Sequence, residues 1–165
     1  VVDVAVWIAQ IFLALFFLAA GLPKVAGGGI ERWVGFDDVA RPLVVLIGVA
    51  EVVAAVTLVA PMAVGAGEWT TPLAALGIAV ISLMASGFHV RAAEGLPALE
   101  TALWSALAGA VAVGRWDQLS GGPSLGGGVL VAALAVLVPA IVVNLVVLFR
   151  RPLPAAHSDD LSRAR

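Results

Sequence analysis

The sequence contains no cysteine and no tyrosine. The missing thiols exclude disulfides, thiol redox chemistry, thiolate metal sites and covalent c-type haem attachment. Histidine is limited to His89 and His157. A haem held between two histidines of this chain would have to use the tail residue His157. Charge is also scarce: 12% of the 165 residues are charged, and Lys24 is the sole lysine. A soluble domain carries about a quarter charged residues. The net charge of −2 and the lack of a basic block argue against a nucleic-acid partner.

Apolar residues are what the chain has in excess, at 62%. A water-soluble chain of this length could not hide so much apolar surface, so part of its solvent is lipid. Five apolar runs stand out: 4–22, 42–64, 72–89, 97–114 and 125–149. Each reaches or approaches the roughly 17–25 residues that span a bilayer as a helix. The runs lack the polar alternation of a barrel strand, and lipid demands that the backbone satisfy itself, so the spans are helices. Pro42, Pro72 and Pro97 fall where a first helical turn tolerates a missing N–H. The fold expected is an all-α membrane protein: an antiparallel four-helix transmembrane bundle plus a fifth transmembrane helix, one domain over residues 1–151. Residues 152–165 read as a flexible cytoplasmic tail. The first run has no basic segment before it and is long for a signal-peptide core, so it reads as a retained span.

Positive charge sets the expected orientation. Alternate connections carry eight Lys and Arg on one side and one, Arg115, on the other. The rich side is cytoplasmic by this rule. The N-terminus is then outside and the C-terminus inside, in a bacterial inner membrane. Trp33 and Phe36 in the loop 23–41 suit an interfacial anchor.

The polar residues inside the apolar runs carry the functional information. Glu51 lies nine residues after Pro42, about 13 Å into its helix. An ionisable group at such depth costs about 2.5–3.5 kcal/mol on insertion scales. It must be neutral, or paired with a cation, and point into the bundle. Gly48, Ala54 and Ala55 share its face and invite a close helix neighbour. Lys24 closes the first span and is either an ordinary interfacial cation or the partner of Glu51. His89 ends the third span, with Ser86 and Ser82 on the same face. A satisfied helix-end histidine is the plain alternative to a functional one. Glu100 sits in the first turn of the fourth span, where the helix dipole favours an acid. Asn144 reads as helix–helix glue. Trp104 and Trp116 read as packing and interface residues, with Trp104 also a ligand-facing candidate. No ligand-spaced metal motif is present. Lys24, His89, Glu100 and Asn144 fall near cytoplasmic ends in this topology, and Glu51 falls in the cytoplasmic half of its helix. A polar cavity open toward the cytoplasm accounts for that shared depth.

Three motifs carry a resemblance: Phe17-x-x-x-Gly21-x-x-Lys24, Gly48-x-x-Glu51 and Phe88-His89. Together, over about residues 7–115, the chain resembles the DoxX-like family of small bacterial membrane proteins. The resemblance implies a four-helix membrane bundle and an association with membrane redox systems, among them a thiosulfate:quinone oxidoreductase. The fifth span departs from the family pattern, and the missing cysteine weakens a direct thiol role. By analogy alone, the architecture is also similar to eukaryotic four-span sterol isomerases and sigma-2-receptor-type proteins.

Three functions are expected from these readings. The first is a subunit or accessory of a membrane redox system that holds a quinone or similar lipophilic ring. Lys24 and His89 are then donors to its carbonyls and Glu51 a proton relay, with Ser86, Glu100 and Trp104 as further ligand contacts. Its partners are membrane lipid, the lipophilic ligand, and a redox subunit or further copies of the chain. The second is a stand-alone enzyme that isomerises a lipophilic substrate or opens an epoxide, with Glu51 and His89 as catalytic acid and base. The third is a non-catalytic scaffold.

Overall fold

The computed structural model describes residues 2–27, 41–91 and 94–123, together with positions 131, 135, 139 and 142. Four long helices account for most of them: α1 (Val2–Ala26), α2 (Arg41–Val64), α3 (Thr70–Arg91) and α4 (Gly95–Gly114). A short 3-10 helix, Trp116–Gly121, follows α4. All four long helices are long and apolar enough to cross a membrane. The fifth expected span, Leu125–Phe149 with Asn144, lies outside the described residues, apart from helical, exposed positions 131, 135, 139 and 142. The tail with His157 lies outside them as well.

The helices form an antiparallel bundle. Two tight hairpins, α1–α2 and α3–α4, meet through α2–α3 and, less extensively, α1–α4. Each helix buries one stripe. On α1 it runs through Gln10, Leu13, Phe17, Gly21 and Lys24, and on α2 through Val44, Gly48, Glu51, Ala55 and Leu58. These spacings of three and four keep one helical face inward. Ala75, Ile78, Ser82 and Ser86 continue the interior on α3, and Ala98, Ala108 and Val111 on α4. Much of this core is alanine, which lets backbones approach where lipid supplies no hydrophobic drive for association. The outward faces carry large apolar side chains, among them Ile8, Leu15, Leu46, Val53, Leu83 and Leu103. That is the surface expected against acyl chains.

Prolines shape the helices without ending them. Pro42, Pro72 and Pro97 all fall in first turns. Helix α1 runs past the expected limit at Leu22 to Ala26, with Pro23 and Lys24 inside its last turns. Gly27, at φ 88°, then turns the chain. Pro61 lies within α2. It has no N–H for the carbonyl of Thr57, and the loss weakens that turn. The Thr71 hydroxyl donates to the Thr57 carbonyl at 3.2 Å, and Gln10 Nε2 donates to the next carbonyl, Leu58, at 2.7 Å. Side chains of α1 and α3 thus supply donors at the proline turn of α2, as lipid cannot.

Candidate functional site

The bundle buries charged side chains at two levels. The first is the α1–α2 crossing. Lys24 Nζ lies 2.6 Å from both carboxylate oxygens of Glu51. Both side chains are almost fully buried, at 5% and 6% exposure. Two glycines make the approach close enough. A Cβ on Gly21 would stand 2.8 Å from the Gly48 carbonyl oxygen and 3.0 Å from Glu51 Cβ. A Cβ on Gly48 would stand 2.7 Å from Lys24 Cβ and 2.8 Å from the Gly21 carbonyl oxygen. Each helix therefore offers a glycine and, three residues later, a charge. The antiparallel crossing sets the glycine of one against the charged residue of the other. Helical side chains lean toward their own N-terminus, so the two heads converge between the crossing backbones.

His89 faces a different partner. Its Nδ1 lies 2.6 Å from Glu94 Oε2, and both side chains are 22% exposed. The Glu94 backbone N–H also donates to the His89 carbonyl at 2.9 Å. The two residues clip the turn between α3 and α4. Ser86 is buried and donates to the Ala98 carbonyl at 2.8 Å, one helix across. Glu100 is exposed on α4. Trp104 packs against Phe12 and Phe16, with ring centroids 5.2 and 4.9 Å away. The structure thus joins Lys24 with Glu51 and joins His89 with Glu94. Among the described residues, no three His, Asp or Glu side chains gather as metal ligands.

The second buried polar level lies toward the opposite end of the bundle, and sequence reasoning missed it. Gln10, fully buried, accepts a hydrogen bond at 2.7 Å from Nε of Arg115, at the C-terminal end of α4. Arg115 also pairs through Nη1 with Asp3, whose side chain is 67% exposed, and its guanidinium lies 5.3 Å from the Trp7 ring centroid. Gln10 links α1 to α2 and to the end of α4 at once. The available signal was Pro61: a proline inside a membrane helix leaves a carbonyl that needs a donor from elsewhere.

Neither a curated protein nor a solved structure matches the chain. The profile of the DoxX-like family matches residues 8–114, more than half of the chain. That stretch runs from the first turns of α1 to the end of α4, and contains both the Lys24–Glu51 crossing and the His89–Glu94 clip. This chain is an integral membrane protein and belongs to the DoxX-like family.

Proposed function

We propose that the protein is a subunit or accessory of a membrane redox system, and that it takes a quinone-like lipophilic ligand. The observation that carries this reading is the Lys24–Glu51 pair, buried between two membrane helices. An ionisable pair inside a membrane bundle points to proton or ligand traffic, because an apolar pair would hold the helices at less cost. Glu51 is the proton relay, and Lys24 and His89 are donors toward ligand oxygens. The chain has no cysteine for thiol redox chemistry, and electrons come from a partner subunit or a bound cofactor. The distribution of Arg and Lys supports a Lys24 end that faces the cytoplasm, with the N-terminus outside, and the proposed membrane is a bacterial inner membrane.

Purification in mild detergent followed by solvent extraction tests the reading. Quinone is expected in the extract of the native protein. It should fall in Glu51→Gln, which keeps the side-chain shape, while that variant stays monodisperse. Quinone reduction in native membranes should fall when the chain is removed. An extract free of quinone, with quinone reduction unchanged in membranes lacking the chain, overturns it.

One observation favours a second reading. The partly exposed His89–Glu94 pair has the geometry of a base held by a carboxylate. A stand-alone enzyme doing acid–base chemistry on a lipophilic substrate would use it. Turnover by the isolated protein, lost in His89→Gln, would establish that alternative. A scaffold shows neither quinone nor turnover.

A further inference from the structure

Trp104 carries an indole N–H that is buried and, among the described residues, has no acceptor. It is the tenth residue of α4, about 14 Å along a helix about 30 Å long. That places it near mid-bilayer. Water is scarce there, and the ester carbonyls of phospholipids stay at the interface. An unmet donor at this depth costs free energy that no solvent recovers. Its neighbours are aromatic: Phe12 and Phe16 of α1 flank the indole ring, and Phe12 is 45% exposed. The seam between α1 and α4 is also the least extensive of the four in the bundle.

A second orphan lies in the same layer. Ser82 is 3% exposed, and its hydroxyl has no partner among the described residues. The register of α3 on α4 is fixed by Ser105 donating to the Ala79 carbonyl and Ser86 donating to the Ala98 carbonyl. In that register Ser82 stands within about 3 Å of Trp104 along the bundle axis. One apolar layer thus holds two buried polar groups without partners among the described residues, and Phe12 and Phe16 lie beside one of them, Trp104.

We propose that the α1–α4 seam binds a lipophilic ring bearing a carbonyl oxygen, with Phe12 and Phe16 against the ring and Trp104 Nε1 donating to the carbonyl. This rests on the reading that the chain takes a quinone-like ligand; it moves the carbonyl donor of that ligand from Lys24 and His89 to Trp104. Entry is from lipid, past Phe12. Phe16 precedes Gly21 by five residues, so the ring lies about 8 Å along the axis from the Lys24–Glu51 crossing.

The test uses the full chain in lipid nanodiscs with 15N-labelled tryptophan. The indole signal missing from Trp104→Phe assigns Trp104. Addition of 2-decyl-1,4-benzoquinone should move the Trp104 indole proton downfield. Decylbenzene, which lacks the carbonyl, and methyl laurate, which lacks the ring, should leave it in place. Trp104→Phe should weaken quinone binding by about three- to tenfold, the share of one hydrogen bond. A Trp104 signal that stays put at saturating quinone overturns the site, as does an equal response to the ester or the hydrocarbon. The two proposals fail separately. Quinone that co-purifies and depends on Glu51 while Trp104 stays unmoved removes this site and keeps the proposed function. A Trp104 shift with added quinone, in a protein whose native extract holds no quinone and whose loss leaves membrane quinone reduction unchanged, keeps this site and removes the proposed function.

Discussion

Gly48 lies directly against Lys24, so close that a methyl group on Gly48 would stand 2.7 Å from the Lys24 Cβ. The glycine is the room in which the lysine reaches Glu51. Gly48→Ala must therefore push α1 from α2, because the other atom in the way is the Gly21 backbone carbonyl at 2.8 Å. The expected loss is about 1–3 kcal/mol of stability, read as a lowered melting temperature in detergent. Gly77→Ala, at a position with nothing within 4 Å of the added methyl, is the control and should leave melting unchanged or slightly raised.

The Lys24–Glu51 pair calls for a double-mutant cycle. Lys24→Met or Glu51→Leu alone removes one member of the buried pair and should cost about 3–5 kcal/mol. The double variant should recover most of that loss, since packed apolar groups replace a desolvated pair at little net cost. Recovered melting together with lost ligand binding is the signature of a site kept for function. Single variants as stable as the native protein would show that the pair is not desolvated.

Lys24 and Glu51 were legible in the sequence because each is rare in its setting: the sole lysine at the end of one span, and an acid deep in the next. Four of the helices were legible for the same reason, as apolar runs of membrane length. Partner choice was harder to read. Glu94 falls between the apolar runs 72–89 and 97–114, and only the turn geometry brings it to His89. Gln10 and Arg115 are far apart in sequence, and their meeting depends on how α4 ends beside the start of α1. A polar residue announces that it needs a partner, but the bundle decides which one.

The proline turn of α2 allows a second cycle. Thr71→Val removes the donor to the Thr57 carbonyl, and should cost about 1–2 kcal/mol. In a Pro61→Ala background the same substitution should cost much less. Residue 61 then has an N–H of its own for Thr57, four residues back. Equal costs in the two backgrounds would mean that Thr71 acts through some other contact.

At the opposite end of the bundle, exposure separates two partners of one arginine. Arg115→Leu leaves the fully buried Gln10 without its donor, and should cost about 1–3 kcal/mol. Asp3→Asn alters a largely exposed carboxylate and should change stability by less than about 1 kcal/mol. Chemical denaturation of both variants checks the contrast.

Orientation can be read in the native cysteine-free background. Ala66→Cys in the α2–α3 turn and Ser120→Cys after α4 are exposed positions at the Arg115 end. Both should react with a membrane-impermeant maleimide from outside the cell. Labelling of either only after the cytoplasm is opened would invert the topology.

The Lys24–Glu51 pair also bears on how the protein is made. A nascent α1 entering lipid alone would carry an unmatched ammonium, and α2 alone an unmatched carboxylate, each at about 2.5–3.5 kcal/mol. Helix α2 would bring the bare Thr57 carbonyl as well. Synthesised in sequence and released as a hairpin, the two helices match the ammonium with the carboxylate before either meets acyl chains, while the Thr57 carbonyl waits for Thr71 of α3. The expected unit of insertion is therefore the α1–α2 pair: crosslinks from α1 to the insertion machinery should persist until α2 has emerged from the ribosome, and should be lost sooner in Lys24→Met.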